Sequence, residues 1–251
     1  MRLCVLFSGG KDSTYAVHLA KQAGHEVVCL LSMQPENKES FLFHVPNIHM
    51  TELQAQAMGI PLVLAQTSGK KTQEYVDLKH ALQDLKRSQK IQGIVTGAVN
   101  SIYQATRMQT IAHELGLYCF NPLWQTKPSA HWHELLLQGF EIMLVSVAAH
   151  GLDKKWLGKT ITNENVDALI ALERSHGISP IGEGGEYESY VLDAPLYWKK
   201  IRVEKFKDEW KGLQGTRHIV KAQLIAKPKS VPTHLPRKSE FSKKKIKRKK
   251  R

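Results

Sequence analysis

Arg2-Leu-Cys-Val-Leu-Phe7 runs straight into Ser8-Gly9-Gly10-Lys11-Asp12-Ser13, and that into Thr14-Tyr15-Ala16-Val17-His18-Leu19. The first run is short and apolar, as a buried strand is. After the glycines, Tyr15, Leu19 and Ala23 recur at helical spacing over 14–23, and Gly24 stands where a helix C-cap glycine belongs. Adjacent glycines let the backbone turn sharply and bring its amides close to a ligand. Ser13 and the amides after it fall at a helix N-terminus, where unpaired N–H groups and the helix dipole favour an anion. Hydroxyls at Ser8 and Ser13 add donors, and Lys11 adds positive charge. The segment reads as a phosphate cradle. It is neither GxxxxGK[ST] nor GxGxxG, because its spacing is too short. A plain strand-to-helix turn is the alternative, and six specified residues after an N-terminal strand weigh against it.

Outward from this loop the chain alternates. Strands are predicted at 26–33, 61–65, 93–97 and 117–120, and helices at 50–58, 72–90 and 102–115. Strands separated by helices of this length predict a parallel sheet covered on both faces. Beyond Pro122 the pattern changes: helices at 131–138 and 166–176, a strand at 141–149, a glycine-rich acidic loop at 177–186, then short strand-like runs to Lys227. The expected organisation is an α/β domain carrying the phosphate loop over 1–125, a smaller α/β domain over 126–227, and a basic disordered tail over 228–251.

The net charge of +13 is the sum of unlike parts. Residues 228–251 carry 11 Lys and Arg against one acid, Glu240, leaving 25 basic and 22 acidic residues in the body. The folded part therefore lacks an obvious nucleic-acid face, and the tail reads as a solvated run that could touch RNA or the ribosome weakly. No apolar run approaches the ~20 residues needed to cross a bilayer, and no signal peptide is evident. Cys4, Cys29 and Cys119 form neither a CxxC pair nor a disulfide framework. A cytoplasmic location is expected.

The Ser8–Ser13 segment resembles the PP-loop of the N-type ATP pyrophosphatases, which implies the adenine nucleotide α-hydrolase-like, Rossmann-like fold. In that superfamily the loop holds the β- and γ-phosphates while a nucleophile attacks the α-phosphate. The resemblance implies that Ser8, Gly9, Gly10, Lys11, Asp12 and Ser13 bind the phosphates of ATP. It places Asp12 near Mg²⁺ and adenine against the strand end at Met33. Further stretches are similar, over residues 1 to about 226, to the diphthine–ammonia ligase family: Phe43-His44-x-Pro46-Asn47, Gly97-Ala98-x-x-Ser101-x-Tyr103-Gln104-x-x-Arg107, Pro122-Leu123-Trp124, Gly151-Leu152-Asp153 and Trp156-Leu157-Gly158-Lys159. The most specific is Gly182-Glu183-Gly184-Gly185-Glu186-Tyr187-Glu188.

That family uses ATP and ammonium to convert the carboxylate of a modified histidine on elongation factor 2, diphthine, to an amide, so the resemblance implies those substrates and that partner. It implies that Arg107, one turn beyond Tyr103, holds a carboxylate or phosphate bidentately. Glu183 and Glu186 are expected to project from a tight turn, bind ammonium and accept its proton. His44, Tyr103, Gln104 and Gly185 are expected to touch the acceptor. The chain departs from the family pattern at 69–78, where several acids are gone, at Gln109 where Glu is frequent, and at Ile181 where Cys is common. Two other readings remain: a PP-loop enzyme that adenylates another carboxylate or a tRNA base, and a nucleotide sensor without turnover.

Overall fold

Leu3 and Val5 face one side of the first strand and Cys4 the other, and all three are fully buried. Period-two alternation with both faces covered is the signature of a strand inside a parallel sheet. The computed structural model describes residues 1–35, 46–68 and 71–227, the side chains of 71 and 72 excepted. His44, its neighbour Phe43 and the basic tail therefore lie outside the described residues.

Strand β1 (Arg2–Leu6) is central in a sheet of five. Around it stand β2 (Glu26–Pro35), β3 (Leu62–Thr67), β4 (Gly93–Val95) and β5 (Tyr118–Phe120), in the order β3-β2-β1-β4-β5. Every pairing is parallel. Helices α1 (Lys11–Gln22), α2 (Thr51–Met58), α3 (Lys71–Ser88) and α4 (Ile102–Glu114) make the crossovers. The face bearing Cys4, Cys29, Leu31, Met33 and Ile94 packs against Leu78, Leu82 and Leu85 of α3 and Ile111 and Ala112 of α4. The face bearing Leu3, Val5, Phe7 and Leu30 packs against α1 and α2. The expected parallel α/β sheet covered on both faces is present.

The second sheet is antiparallel. Its centre is β6 (Glu141–Val147), flanked by β8 (Tyr187–Asp193) on one edge. On the other edge lie two-residue β7 (Thr160–Ile161) and β10 (Gln214–Ala226), with β9 (Lys199–Lys211) outermost. Helices α5 (Pro128–Leu137) and α6 (Val166–His176) pack on each other beside it. One hydrophobic cluster joins the two sheets, from Leu3, Val5 and Tyr15 through Trp132 and Ile142 to Tyr190 and Ile219. No helix among the described residues is long and apolar enough to cross a membrane.

The strand order reverses at β1, whose neighbours are β2 on one side and β4 on the other. In open parallel sheets ligands bind outside the strand carboxyl ends at such a switch point. Here that place is bounded by Ser8–Ser13 after β1 and Thr96–Asn100 after β4. Gly97 is glycine because a Cβ there would lie 2.8 Å from the Ser13 amide nitrogen.

Candidate active site

The turn between β1 and α1 is shaped by its neighbours. Gly9 has φ +81°, and a Cβ there would meet Gln54 Oε1 at 2.4 Å, so both backbone and space require glycine. Gln54, itself fully buried, donates from Nε2 to the carbonyls of Gly9 (2.8 Å) and Val191 (3.0 Å). The Ser8 and Ser13 hydroxyls lie 3.1 Å apart, and Ser13 Oγ donates to the Gly10 carbonyl. Helix α1 starts at Lys11, three residues earlier than its apolar periodicity predicts, and its N-cap residue, Gly10, has no side chain to cap it. Its first turn therefore lies within the loop; the Lys11 and Thr14 amides are taken up by Ser189 and Gly10, which leaves those of Asp12 and Ser13 to an anion.

Lys11 and Asp12 are oriented by the second half of the chain. Lys11 is 3% exposed, and its ammonium donates to the Ile181 carbonyl (2.6 Å) and to Asp12 Oδ2 (2.8 Å). It also lies over the rings of Trp132 and Tyr187. The Lys11 amide donates to Ser189 Oγ at 3.1 Å, and the Val191 amide to the Gly9 carbonyl at 3.2 Å. Asp12 Oδ1 meets Nε2 of fully buried His131 at 2.7 Å. Burial raises the Asp12 pKa, but the Lys11 charge and the His131 hydrogen bond outweigh it and hold the carboxyl below the ordinary range. Both Asp12 oxygens are thus engaged, one by an ammonium that would repel a second cation. The Mg²⁺ ligand role expected of Asp12 would require it to exchange one of these partners. Among the described residues no cluster of three or more His, Cys, Asp or Glu could hold a metal ion.

A cavity of about 540 Å³ opens from the loop, a size within the range of nucleotide-scale sites. Ser8, Gly10, Lys11, Asp12 and Ser13 line its phosphate end, and Met33, Leu78 and Met108 give it an apolar wall. Arg107 and Gln104 line it from α4. The Arg107 guanidinium is sandwiched between the rings of Tyr75 (5.2 Å) and Tyr103 (5.0 Å), and Nη1 donates to the Tyr103 hydroxyl at 2.5 Å. Its Nε is buried without a partner, and no carboxylate among the described residues lies within ion-pair distance. Among the described residues Arg107 therefore forms no salt bridge. Tyr103 supports the guanidinium and is not itself on the cavity wall.

The acidic segment divides its three carboxylates. Glu183 lines the cavity, but its Oε1 accepts from the backbone amides of Asn100 and of Ser101 (2.8 Å), the residues that open α4. Glu186 does not project into the cavity as expected. Its two oxygens turn back to the Ser179 and Gly184 amides, each at 2.7 Å, and close the loop's own turn. Gly185, with φ +81°, is on the cavity wall. Glu188 also lines the cavity, and among the described residues it accepts no hydrogen bond and forms no ion pair. Burial pushes its carboxyl up to about 7, with Lys11 pulling down and Asp12 pushing up. His131, Glu188, Ser189 and Gln54 were not singled out from the sequence. Only Glu188 carried a signal, as the last letter of the glycine-rich acidic motif.

No cysteine stands on the cavity wall. Cys4 and Cys29 are buried side by side on β1 and β2, and burial pushes the Cys119 thiol up to about 11, far from a thiolate at neutral pH.

Comparison with known proteins gives the family. The family model described as "Diphthamide synthase N-terminal domain" matches residues 1–119, and "Diphthamide synthase C-terminal domain" matches 128–225. The diphthine–ammonia ligase of Homo sapiens is 34% identical over 223 residues, 81% of this chain and 83% of that one. The one from Rattus norvegicus is 33% identical over the same shares. The diphthine–ammonia ligase of Schizosaccharomyces pombe is 34% identical over 217 residues, 80% of this chain but 36% of its own greater length. A solved structure titled as a predicted subunit of tRNA methyltransferase from Methanocaldococcus jannaschii covers 78% of this chain and 98% of its own. At 14% identity and a TM-score of 0.40 it carries no argument. With both domain models matched in order along its length, and relatives a third identical across most of it, the chain belongs to the diphthine–ammonia ligase family.

Proposed function

We propose that the protein adenylates a carboxylate with ATP and passes the acyl group to ammonia, releasing AMP and pyrophosphate. The acceptor is the diphthine carboxylate of elongation factor 2, which becomes diphthamide. The observation that carries this reading is one cavity with three chemistries on its wall. It has helix-terminal amides for phosphates, a guanidinium without a carboxylate partner, and an acidic glycine-rich segment. The amides of the Ser8–Ser13 loop hold the β- and γ-phosphates, while the apolar wall at Met33, Leu78 and Met108 receives the adenosine end. Arg107, planar and pre-stacked between two tyrosines, binds the α-phosphate or the incoming carboxylate and lowers the cost of bringing two anions together. Asp12 acts through Lys11 and His131, keeping the loop in shape. Gln104, Gly185 and, by family resemblance, His44 border the acceptor's approach.

In this reading residues 1–125 carry ATP and 126–227 present the acceptor, in the cytoplasm, where elongation factor 2 works. The basic tail adds weak contact with RNA or the ribosome. The test is pyrophosphate release by the purified protein with Mg-ATP and ammonium, with and without elongation factor 2 bearing diphthine. Release is expected only with the modified factor, together with a loss of about one mass unit as hydroxyl becomes amine. Release indifferent to the factor would reject the acceptor, and absence of acceptor-dependent pyrophosphate with every carboxylate tried would reject the chemistry.

A further inference from the structure

The segment 182–188 carries three carboxylates, and two of them are committed to backbone amides. Glu183 fixes the start of α4, and Glu186 fixes its own turn. Glu188 alone lines the cavity with its oxygens unclaimed among the described residues. Its place is set on both sides. Tyr187, before it, is buried against the Lys11 ammonium and donates its hydroxyl to the Pro180 carbonyl. Ser189, after it, accepts the Lys11 amide, and its carbonyl would lie 3.4 Å from a Cβ on Gly10. Glu188 therefore stands beside the turn that would hold the phosphates, next to where an adenylate would be formed.

We propose that Glu188 binds the ammonium ion and is the base that releases ammonia from it for attack on the acyl adenylate. This rests on the amidation reading above. An ionised carboxylate attracts the cation, whose N–H groups match its lone pairs. One proton passes from nitrogen to Glu188, freeing the nitrogen lone pair. That pair forms the C–N bond at the acyl carbon, and the C–O bond to phosphate breaks with its electrons leaving on AMP. The second proton lost by nitrogen goes to water at the cavity mouth, and Glu188 returns its own proton to water before the next turnover. The groups facing Glu188 are Lys11 and Asp12 from α1 and Tyr187 on its own strand, and the residue paired opposite on β6 is Ser146, which does not titrate. In that setting the carboxyl titrates at about 7, where a base is effective at neutral pH. The Lys11 ammonium cannot supply this function, since it is buried and hydrogen-bonded to Ile181 and Asp12.

The experiment compares two nucleophiles in the Glu188→Gln variant, with elongation factor 2 bearing diphthine as acceptor. Hydroxylamine is unprotonated at neutral pH and needs no base, whereas ammonium does. Acceptor-dependent ATP–pyrophosphate exchange and hydroxamate formation are expected within about twofold of the parent protein. Amide formation from ammonium is expected to fall by about 10²–10⁴-fold and to lose its rise through neutral pH. Glu188→Asp, which keeps a carboxylate, is expected to recover part of the loss. Equal loss with both nucleophiles, or loss of exchange, would overturn the assignment and place Glu188 in adenylation. Unchanged amide formation would overturn it outright. If the parent protein itself shows no acceptor-dependent exchange, the amidation reading fails, and this proposal with it.

Discussion

At the scale of single residues, the site's character lies in which charges the protein neutralises and which it leaves open. Lys11 and Asp12 look like surface ligands in the sequence, yet they form a hydrogen-bonded cluster with His131 under Trp132 and Tyr187. Glu188 is left without such help, and that has a thermodynamic consequence. Its carboxyl titrates at about 7 in the folded chain against an ordinary 4.5, so the native state holds a proton that the unfolded chain has lost between those values. Stability from this group must therefore fall as pH rises from about 4.5 through 7. Glu188→Gln removes the buried charge and is expected to stabilise the protein at pH 8 by up to about 3 kcal/mol, with little effect at pH 4.5. Urea midpoints at the two pH values measure this, and a gap independent of pH would contradict the burial of that carboxyl.

At the scale of elements, the legible parts were those with a repeating apolar face. Helices α4 and α6 and strands β1 and β2 were located from the sequence to within one or two residues because each buries one stripe or alternates strictly. The hairpin of β9 and β10 shows in the sequence only as short strand-like runs, although each strand has 13 residues. Its residues 204–209 are exposed on both faces, so no period of two marks them. The loop was legible because glycines announce backbone geometry locally. The acidic segment was only half legible: the partners of Glu183 lie 82 and 83 residues away, and spacing alone cannot say which carboxylate a remote amide will claim. Asn47 shows the same limit. It reads as a motif residue, yet with φ 67° it donates to the Arg217 carbonyl (2.9 Å) and accepts from the Ile219 amide (2.6 Å), pinning the hairpin to the chain before α2. Asn47→Ala should cost about 2–4 kcal/mol, from two unpaired backbone groups and a left-handed Ala. Asn47→Gly should cost less by about 1 kcal/mol, since only the hydrogen bonds are lost. Equal costs in urea unfolding would mean that backbone strain plays no part.

At the scale of the whole molecule, the two sheets differ in topology but share a core, and the phosphate loop is finished by the second half. The Gly9 carbonyl, the Lys11 amide and the Lys11 ammonium find partners in Val191, Ser189 and Ile181, and Asp12 finds His131. A fragment of residues 1–125 keeps every residue of the nucleotide motif and none of these partners. It is expected to bind ATP at least ~100-fold more weakly than the full chain, because Lys11 without the Ile181 carbonyl and the cover of Trp132 and Tyr187 no longer fixes the loop's shape. Titration calorimetry on both settles it, and equal affinity would show that the loop is shaped by the first half alone. The same stitching sets an order of events during synthesis. The serine that holds the helix start of the loop is made 178 residues after Lys11. At ~5–20 residues per second the nascent chain spends roughly 10–35 seconds with an incomplete nucleotide site. It becomes competent only once the second half of this sequence has followed the first.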